Sequence, residues 1–236
     1  MNFDFSFMLV ALRAALKATP TTLLLTIVPF IIGLIFGTLL AVFRIFKIKV
    51  LAKISQIYVV IIRGIPIVLL LLIVYFSTNQ IIDVFGKRLH LKIRFKDINT
   101  IYIAYVALSL YAIAAIEEVV RGAFLSVGKG QFEASYSVGL TRIQTVRRII
   151  IPQALPIALP TLCSTVIGLI KGSSLAYMVA VIDLLNAAII TANANYKFLE
   201  VYVAAAIIYW GLTIVIEGIS GVLERKLALC SRRGIS

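Results

Sequence analysis

The chain has 236 residues, 61% of them hydrophobic, with 23 Lys and Arg against 10 Asp and Glu. Soluble domains are roughly 45–50% apolar, and the excess here is gathered into long runs, as in a helix bundle that lives in a bilayer. The formal charge of +13 falls in the segments between those runs. Anionic headgroups and topology account for it there, and no basic stripe with interleaved aromatics marks a nucleic-acid surface.

Residues 3–18 carry an apolar stripe interrupted by Arg13 and Lys17, which predicts a short helix lying in the membrane interface. Pro20 is expected near the start of the next helix, where its missing N–H matters least. The first span is predicted over about 21–43, ending at Arg44, Lys47, Lys49 and Lys53. Asp4 and the lack of an early basic cluster argue against a cleaved signal peptide. A second apolar segment, about 54–77, is interrupted by Arg63-Gly64-Ile65-Pro66. In the loop that follows, Leu89, Leu91, Ile93 and Phe95 alternate with His90, Lys92, Arg94 and Lys96. Alternation predicts a short strand, either a hairpin on lipid headgroups or a contact surface for an external partner. His90 has no companion ligands and reads as surface.

The third span is predicted over about 100–119, ending in Glu117, Glu118 and Arg121, where Glu118 and Arg121 have the spacing of a helical ion pair. A polar stretch, 121–151, precedes a fourth span that starts near Pro152 and breaks at Lys171-Gly172-Ser173-Ser174 before resuming to about 182. Asp183 and Asn186 then face either the pathway or solvent. The fifth span is about 198–222. Tyr111, Tyr177 and Trp210 suit helix packing or interfacial belts. The two cysteines, Cys163 in an apolar run and Cys230 in the tail, predict no disulfide and match no metal spacing. The expected fold is all-α: one membrane domain over 1–236, a polytopic bundle of about five transmembrane helices.

Of the 23 Lys and Arg, 13 fall on the side of the 121–151 stretch, 8 on the other, and Arg63 and Lys171 lie within apolar segments. The positive-inside rule therefore predicts the N-terminus outside and the C-terminus inside. A charge at bilayer depth costs roughly 2.5–3.5 kcal/mol on insertion scales. Arg63, flanked by the helix breakers Gly64 and Pro66, is thus either a gate or pathway element or an anchor that snorkels to the interface.

Residues 121–152 carry the strongest signal. Gln131 to Val138 spans two helical turns, with Glu133 placed near a helix N-terminus. Gly139 marks its end. Ile143, Val146 and Ile150 recur at helical spacing, with Arg142, Arg147 and Arg148 on the polar faces, and Pro152 turns the chain back into the membrane. This is a helix–break–helix hairpin, suited to passing a push from a partner to the neighbouring spans.

Here the chain resembles a known family. Glu133-Ala134-Ser135, three residues, Gly139, nine residues, Ile149-Ile150-Ile151-Pro152 is similar to the EAA loop of ABC importer permeases, E-A-A, three residues, G, nine residues, I-x-L-P. Gly130-Gln131 and Gln153-Ala154 look like the polar amino acid branch of that family. Glu118-Val119-Val120-Arg121-Gly122 is similar to its E-I-x-R-G segment, Arg63-Gly64-Ile65-Pro66 to its R-G-T-P turn, and Lys171 to Leu175 to its K-D-T-S-L. The departures are Ser135 for an alanine, Ile151 for a leucine, Ile65 and Ser173 for threonines, and Gly172 for an aspartate.

The resemblance implies a type I ABC importer permease in a bacterial cytoplasmic membrane. It implies a second permease chain, identical or homologous, two cytoplasmic ATPase subunits docked on the EAA loops, and an extracytoplasmic amino acid-binding protein. Glu133 would contact the ATPase and Gly139 would act as the hinge. Ser173, Ser174 and Lys171 would either bind the amino acid or hydrogen-bond between permease chains. The Lys-Gly-Ser-Ser-Leu-Ala form looks like cystine-type members. Gly128-Lys129-Gly130 lacks the pattern of a phosphate-binding loop, so ATP, if used at all, must be bound by another chain; the resemblance implies that ATP and Mg²⁺ sit in the partner ATPase and that this chain is no enzyme. The competing class is an ion-coupled secondary transporter or channel. It draws support from the broken helices, but it leaves the 121–152 stretch unexplained and lacks a detectable inverted repeat.

Overall fold

The computed structural model describes residues 3–88 and 94–233, with the side chains of Lys87 and 227–233 outside the described set. Five stretches are long and apolar enough to cross a membrane: Phe5–Ile45, Ile67–Gly86, Thr100–Ser126, Arg142–Val179 and Phe198–Lys226. No strand occurs among the described residues; most of the strand expected over 89–96, and His90 with it, lies outside them, and Phe95–Asp97 is one turn of 3-10 helix.

Helix α1 (Phe5–Ile45) is a single unbroken helix of 41 residues with Pro20 and Pro29 inside it. The expected separate N-terminal helix and the break at Pro20 are therefore absent. The reason is packing: Ala11 and Ala15 are fully buried against Leu184, Ala188, Val201 and Ala204. Two small residues one turn apart let the helices close tightly there, and tertiary contact overrides the proline. At 1.5 Å per residue α1 is about 60 Å long, twice the hydrocarbon thickness of roughly 30 Å. Its N-cap Asp4 accepts the Phe7 amide at 3.0 Å and pairs with Lys197, and the Asp4 amide donates to Glu200. The Lys197 ammonium beside it holds the Asp4 carboxyl well below the usual carboxylate range.

Along its second half α1 packs on α4 (Thr100–Ser126) at very short range. A Cβ on Gly33 would lie 2.9 Å from the Ala112 Cβ, and one on Gly37 would lie 2.8 Å from the Ile113 carbonyl oxygen. Two glycines four residues apart thus form a groove for α4, the small-residue contact on which membrane helices rely.

The second apolar segment is two helices, α2 (Lys49–Gly64) and α3 (Ile67–Arg88). Pro66 excludes Ile65 from the helical region (φ −96°, ψ 127°) and ends α2. Only α3 has the length and hydropathy of a span, so the break stands at the entrance of the second span and not in its middle. Ser55, Val59 and Ile62 turn inward from α2, while Lys49, Lys53 and Gln56 form an exposed stripe at helical spacing.

Beyond α4 come α5 (Lys129–Ser137) and α6 (Arg142–Thr145), which passes through one π-helical turn (Val146–Ile150) into α7 (Ile151–Ser173). At the expected interruption, Lys171–Ser174, the α-helix ends at Ser173 but the chain does not unwind. It tightens to 3-10 over Ser174–Val179 and stops at Ala180 in a left-handed conformation (φ 61°). Short α8 (Leu184–Ala192) and long α9 (Phe198–Arg233) complete the bundle. The two ends of the molecule are distinguished here by α5 and by α8. Asp183 caps α8 and is fully buried, facing neither solvent nor an open path: the Asn186 amide and the Tyr209 hydroxyl donate to it, and the Thr22 hydroxyl receives the Leu184 amide.

Candidate functional site

The α5–α6 hairpin is built from its turn outward. Gly139 sits at φ 80°, a region other residues rarely enter. The Leu140 amide donates to the Ser135 carbonyl at 3.1 Å and the Gly139 amide to that of Tyr136 at 2.9 Å. This pair of bonds is a Schellman closure of α5. Thr141 and Gln144 then cap each other reciprocally to start α6. Ser135, where the family pattern has alanine, is buried. Its hydroxyl donates to the Phe132 carbonyl at 2.7 Å, which leaves it to accept from the buried Thr145 hydroxyl at 2.9 Å. One oxygen thus pins α5 to α6, a bond an alanine cannot make.

The hairpin is fastened to the bundle by aromatics. Phe132 packs at a tilt against Phe124 (5.8 Å between centroids), Phe124 meets Phe46 edge-on (6.2 Å), and the Arg142 guanidinium lies 4.7 Å from the Phe46 ring centroid. Gln153 donates to Gln131 at 3.1 Å. The outward face carries Glu133, Ala134, Tyr136 and Val138, all exposed. Two expectations need correction. Helix α5 begins at Lys129, so Glu133 lies one turn in and not at the N-terminus. Ile143 is 80% exposed, while Ile150 alone of the expected apolar stripe is fully buried. Ile149 and Pro152 lie where α6 runs into α7 without a break, so the hairpin's second arm and the fourth span are one continuous rod.

A second constellation lies in the interior. The Arg44 guanidinium donates to both oxygens of the fully buried Glu117 (3.0 and 2.9 Å) and to Glu118 (2.7 Å). Arg121 pairs with Glu118 at 2.8 Å, as its spacing predicts, and Arg63 reaches it at 3.5 Å. Three guanidinium groups thus enclose two carboxylates, which is how membrane interiors hold charge. Arg44, expected to be a loop cation, is instead the centre of this cluster. A cavity of 490 Å³ opens beside it, lined by Arg63, Tyr111, Ala115, Glu118, Val119, Thr161 and Thr165.

The structure therefore unites Arg63 and Glu118, with Gly64 and Pro66 making the break that brings Arg63 there. It does not bring in the remaining pathway candidates. The Ser173 hydroxyl is buried and donates to the Ile170 carbonyl; the Ser174 hydroxyl donates to that of Lys171, whose side chain is exposed. Gly172 meets the Ile67 side chain, 2.9 Å from where its Cβ would stand, which seats the start of α3 on α7. Sequence reasoning missed Thr161 and Thr165. Two hydroxyls one turn apart inside an apolar run were the available signal.

The family model described as "Binding-protein-dependent transport system inner membrane component" matches residues 33–229. The chain is 34% identical over 227 residues to the "Probable amino-acid ABC transporter permease protein PatM" of Vibrio harveyi, covering 96% of this chain and 97% of that one. It is 35% identical to the "Probable amino-acid permease protein YxeN" of Bacillus subtilis, with the same coverage. A solved structure described as an amino acid ABC transporter with histidines superposes with a TM-score of 0.83 at 28% identity, over 96% of this chain and 100% of that one. The chain belongs to the ABC importer permeases of the polar amino acid family. It has their type I architecture, and it is a membrane-spanning amino-acid importer subunit.

Proposed function

We propose that this permease carries L-cystine inward, driven by ATP hydrolysis in two separate ATPase subunits that grip α5. One observation carries the reading. The hairpin is locked from within by Ser135, Thr145 and Gly139, while Glu133, Tyr136 and Val138 of its outward face are left exposed. A surface so fixed and so uncovered is a handle. ATP and Mg²⁺ sit in the partner, whose closure draws two such handles together. Because Arg142 to Ser173 is one rod, a shift of α5 reaches Thr161 and Thr165 in the cavity wall. A second permease chain, identical or homologous, completes the pathway, and an extracytoplasmic binding protein loads it. The chain lies in a bacterial cytoplasmic membrane, N-terminus outside and C-terminus inside.

In the cavity Arg63 is the exchangeable group. It is 54% exposed and makes the longest of the ion pairs to Glu118. An amino acid carboxylate can take Arg63 while its ammonium faces Glu118, with the threonine hydroxyls completing the shell. The cystine assignment draws on two relatives described as L-cystine transport system permease proteins, TcyL and TcyB of Bacillus subtilis, 32% and 34% identical over 88% and 87% of this chain.

Two measurements test this. Glu133→Lys is expected to abolish ATPase stimulation by the loaded binding protein while membrane insertion stays intact; transport that persists without any ATPase would favour an ion-coupled carrier instead. In proteoliposomes of the complete transporter, labelled L-cystine uptake is expected to resist excess L-arginine and L-glutamine. Arg63→Ala is expected to raise KM on the order of tenfold, the loss of one charge-assisted bond. Equal uptake of arginine would overturn the cystine assignment alone.

A further inference from the structure

A second charged feature lies on the outside of the bundle, where α1 turns into α2. A surface cavity of 430 Å³ there is lined by Arg44, Lys47, Lys49, Ala52, Lys53 and Gln56, four cations and no carboxylate. Arg44 is committed to Glu117 and Glu118, but Lys47, Lys49 and Lys53 enter no ion pair among the described residues. The turn itself is unusual. Phe46 ends α1, and Lys47 occupies the left-handed position at φ 52°, with the Ile48 amide donating to the Phe43 carbonyl at 2.9 Å. Glycine is the ordinary residue at that point of a helix end, and a lysine held there is strained backbone that carries a cation.

Apolar surface flanks the basic cavity. Val50, Leu51 and Ile54 of α2 are exposed, and a groove on the other side is lined by Phe46, Ile48, Ile143, Val146 and Ile151, with Arg142 and Arg147 beside them. Ile48, between two of the lysines, belongs to this groove. A molecule that satisfies both halves has a compact, multiply negative head and hydrocarbon chains.

We infer that the α1–α2 turn is a binding site for an anionic phospholipid. The phosphates lie on Lys47, Lys49 and Lys53, and the acyl chains lie along α2 and the Ile48 groove. Polybasic segments at a membrane surface attract anionic lipid through charge alone; the added feature here is a concave site with apolar walls, which holds an individual lipid. Because Arg44 lines the same cavity and also holds Glu117 and Glu118, an occupied site lies one residue from the interior cluster.

The test is native mass spectrometry of the complex of permease and ATPases in mild detergent, with cardiolipin or phosphatidylcholine added. Cardiolipin is expected to be retained and phosphatidylcholine lost. The triple change Lys47→Gln, Lys49→Gln, Lys53→Gln is expected to lower cardiolipin retention at least tenfold, while Arg88→Gln with Lys96→Gln leaves it unchanged. Lys47→Gly guards against a folding failure of the triple variant, since glycine relaxes the left-handed turn. It is expected to lower retention with a melting temperature in phosphatidylcholine no lower than that of the parent. Undiminished cardiolipin retention by either lysine variant, or equal retention of phosphatidylcholine, overturns the site.

Discussion

Replacing Gly37 by leucine will remove the folded protein from the membrane. A Cβ at this position would stand 2.8 Å from the Ile113 carbonyl oxygen, 3.1 Å from the Glu117 amide nitrogen and 3.2 Å from the Ile116 Cβ. Two of these are backbone atoms of α4 and cannot swing aside, so the helices must separate. Ordinary overpacking costs about 1–3 kcal/mol, and separation along the α1–α4 seam exceeds that range. It also pulls Arg44 from Glu117, two turns further along. The expected readout is a melting temperature lowered by more than about 10 °C in detergent, or no recoverable protein. Gly168→Ala is the matched control: nothing lies within 4 Å of its Cβ, and the change is expected to be neutral or slightly stabilising. Equal stability of Gly37→Leu and the parent would show that α1 and α4 do not pack as described.

The span pattern was legible because hydropathy and length decide it, and a family-like string of motifs gave the architecture. What sequence did not reveal were contacts between distant segments. The break expected at Pro20 depends on the local cost of a proline, whereas Ala11 and Ala15 buried on α8 and α9 decide the outcome. The interruption at Lys171–Ser174 reads as polar and glycine-rich, yet Gly172 serves close packing and both serine hydroxyls return to the helix backbone. Of the interior cluster, Glu118 with Arg121 follows from spacing on one helix. Arg44 does not, since it lies 73 residues from Glu117 and looks like any basic residue at a span end. In the hairpin, Gly139 was readable as a stop from its conformational freedom. The bond from Ser135 to Thr145 was not, because it depends on how tightly α5 folds onto α6.

Arg44→Ala is expected to be as damaging as the loss of the seam, for an electrostatic reason. Glu117 has a side chain with 0% exposure, and both of its oxygens accept from Arg44. Removing one member of a buried ion pair costs about 3–5 kcal/mol, because the other charge is left without compensation. Replacing both members by apolar groups of similar volume avoids that penalty. The series Arg44→Met, Glu117→Met and the double variant therefore separates charge from packing. Arg44→Met is expected to lose folded protein in a thermal unfolding assay in detergent, Glu117→Met to lose less because Arg44 keeps Glu118 at 2.7 Å, and the double variant to recover most of what Arg44→Met loses. Recovery of folding without recovery of transport would place the pair in the transport cycle. Glu118 retains Arg121 at 2.8 Å when Arg44 is lost, whereas Glu117 has Arg44 as its one ion-pair partner among the described residues. Arg121→Gln, which leaves Glu118 paired with Arg44, is accordingly expected to be milder in stability than Arg44→Gln, which leaves the buried Glu117 without a cation. If the two glutamine variants unfold together, the cluster shares its charge more evenly than the bond lengths imply.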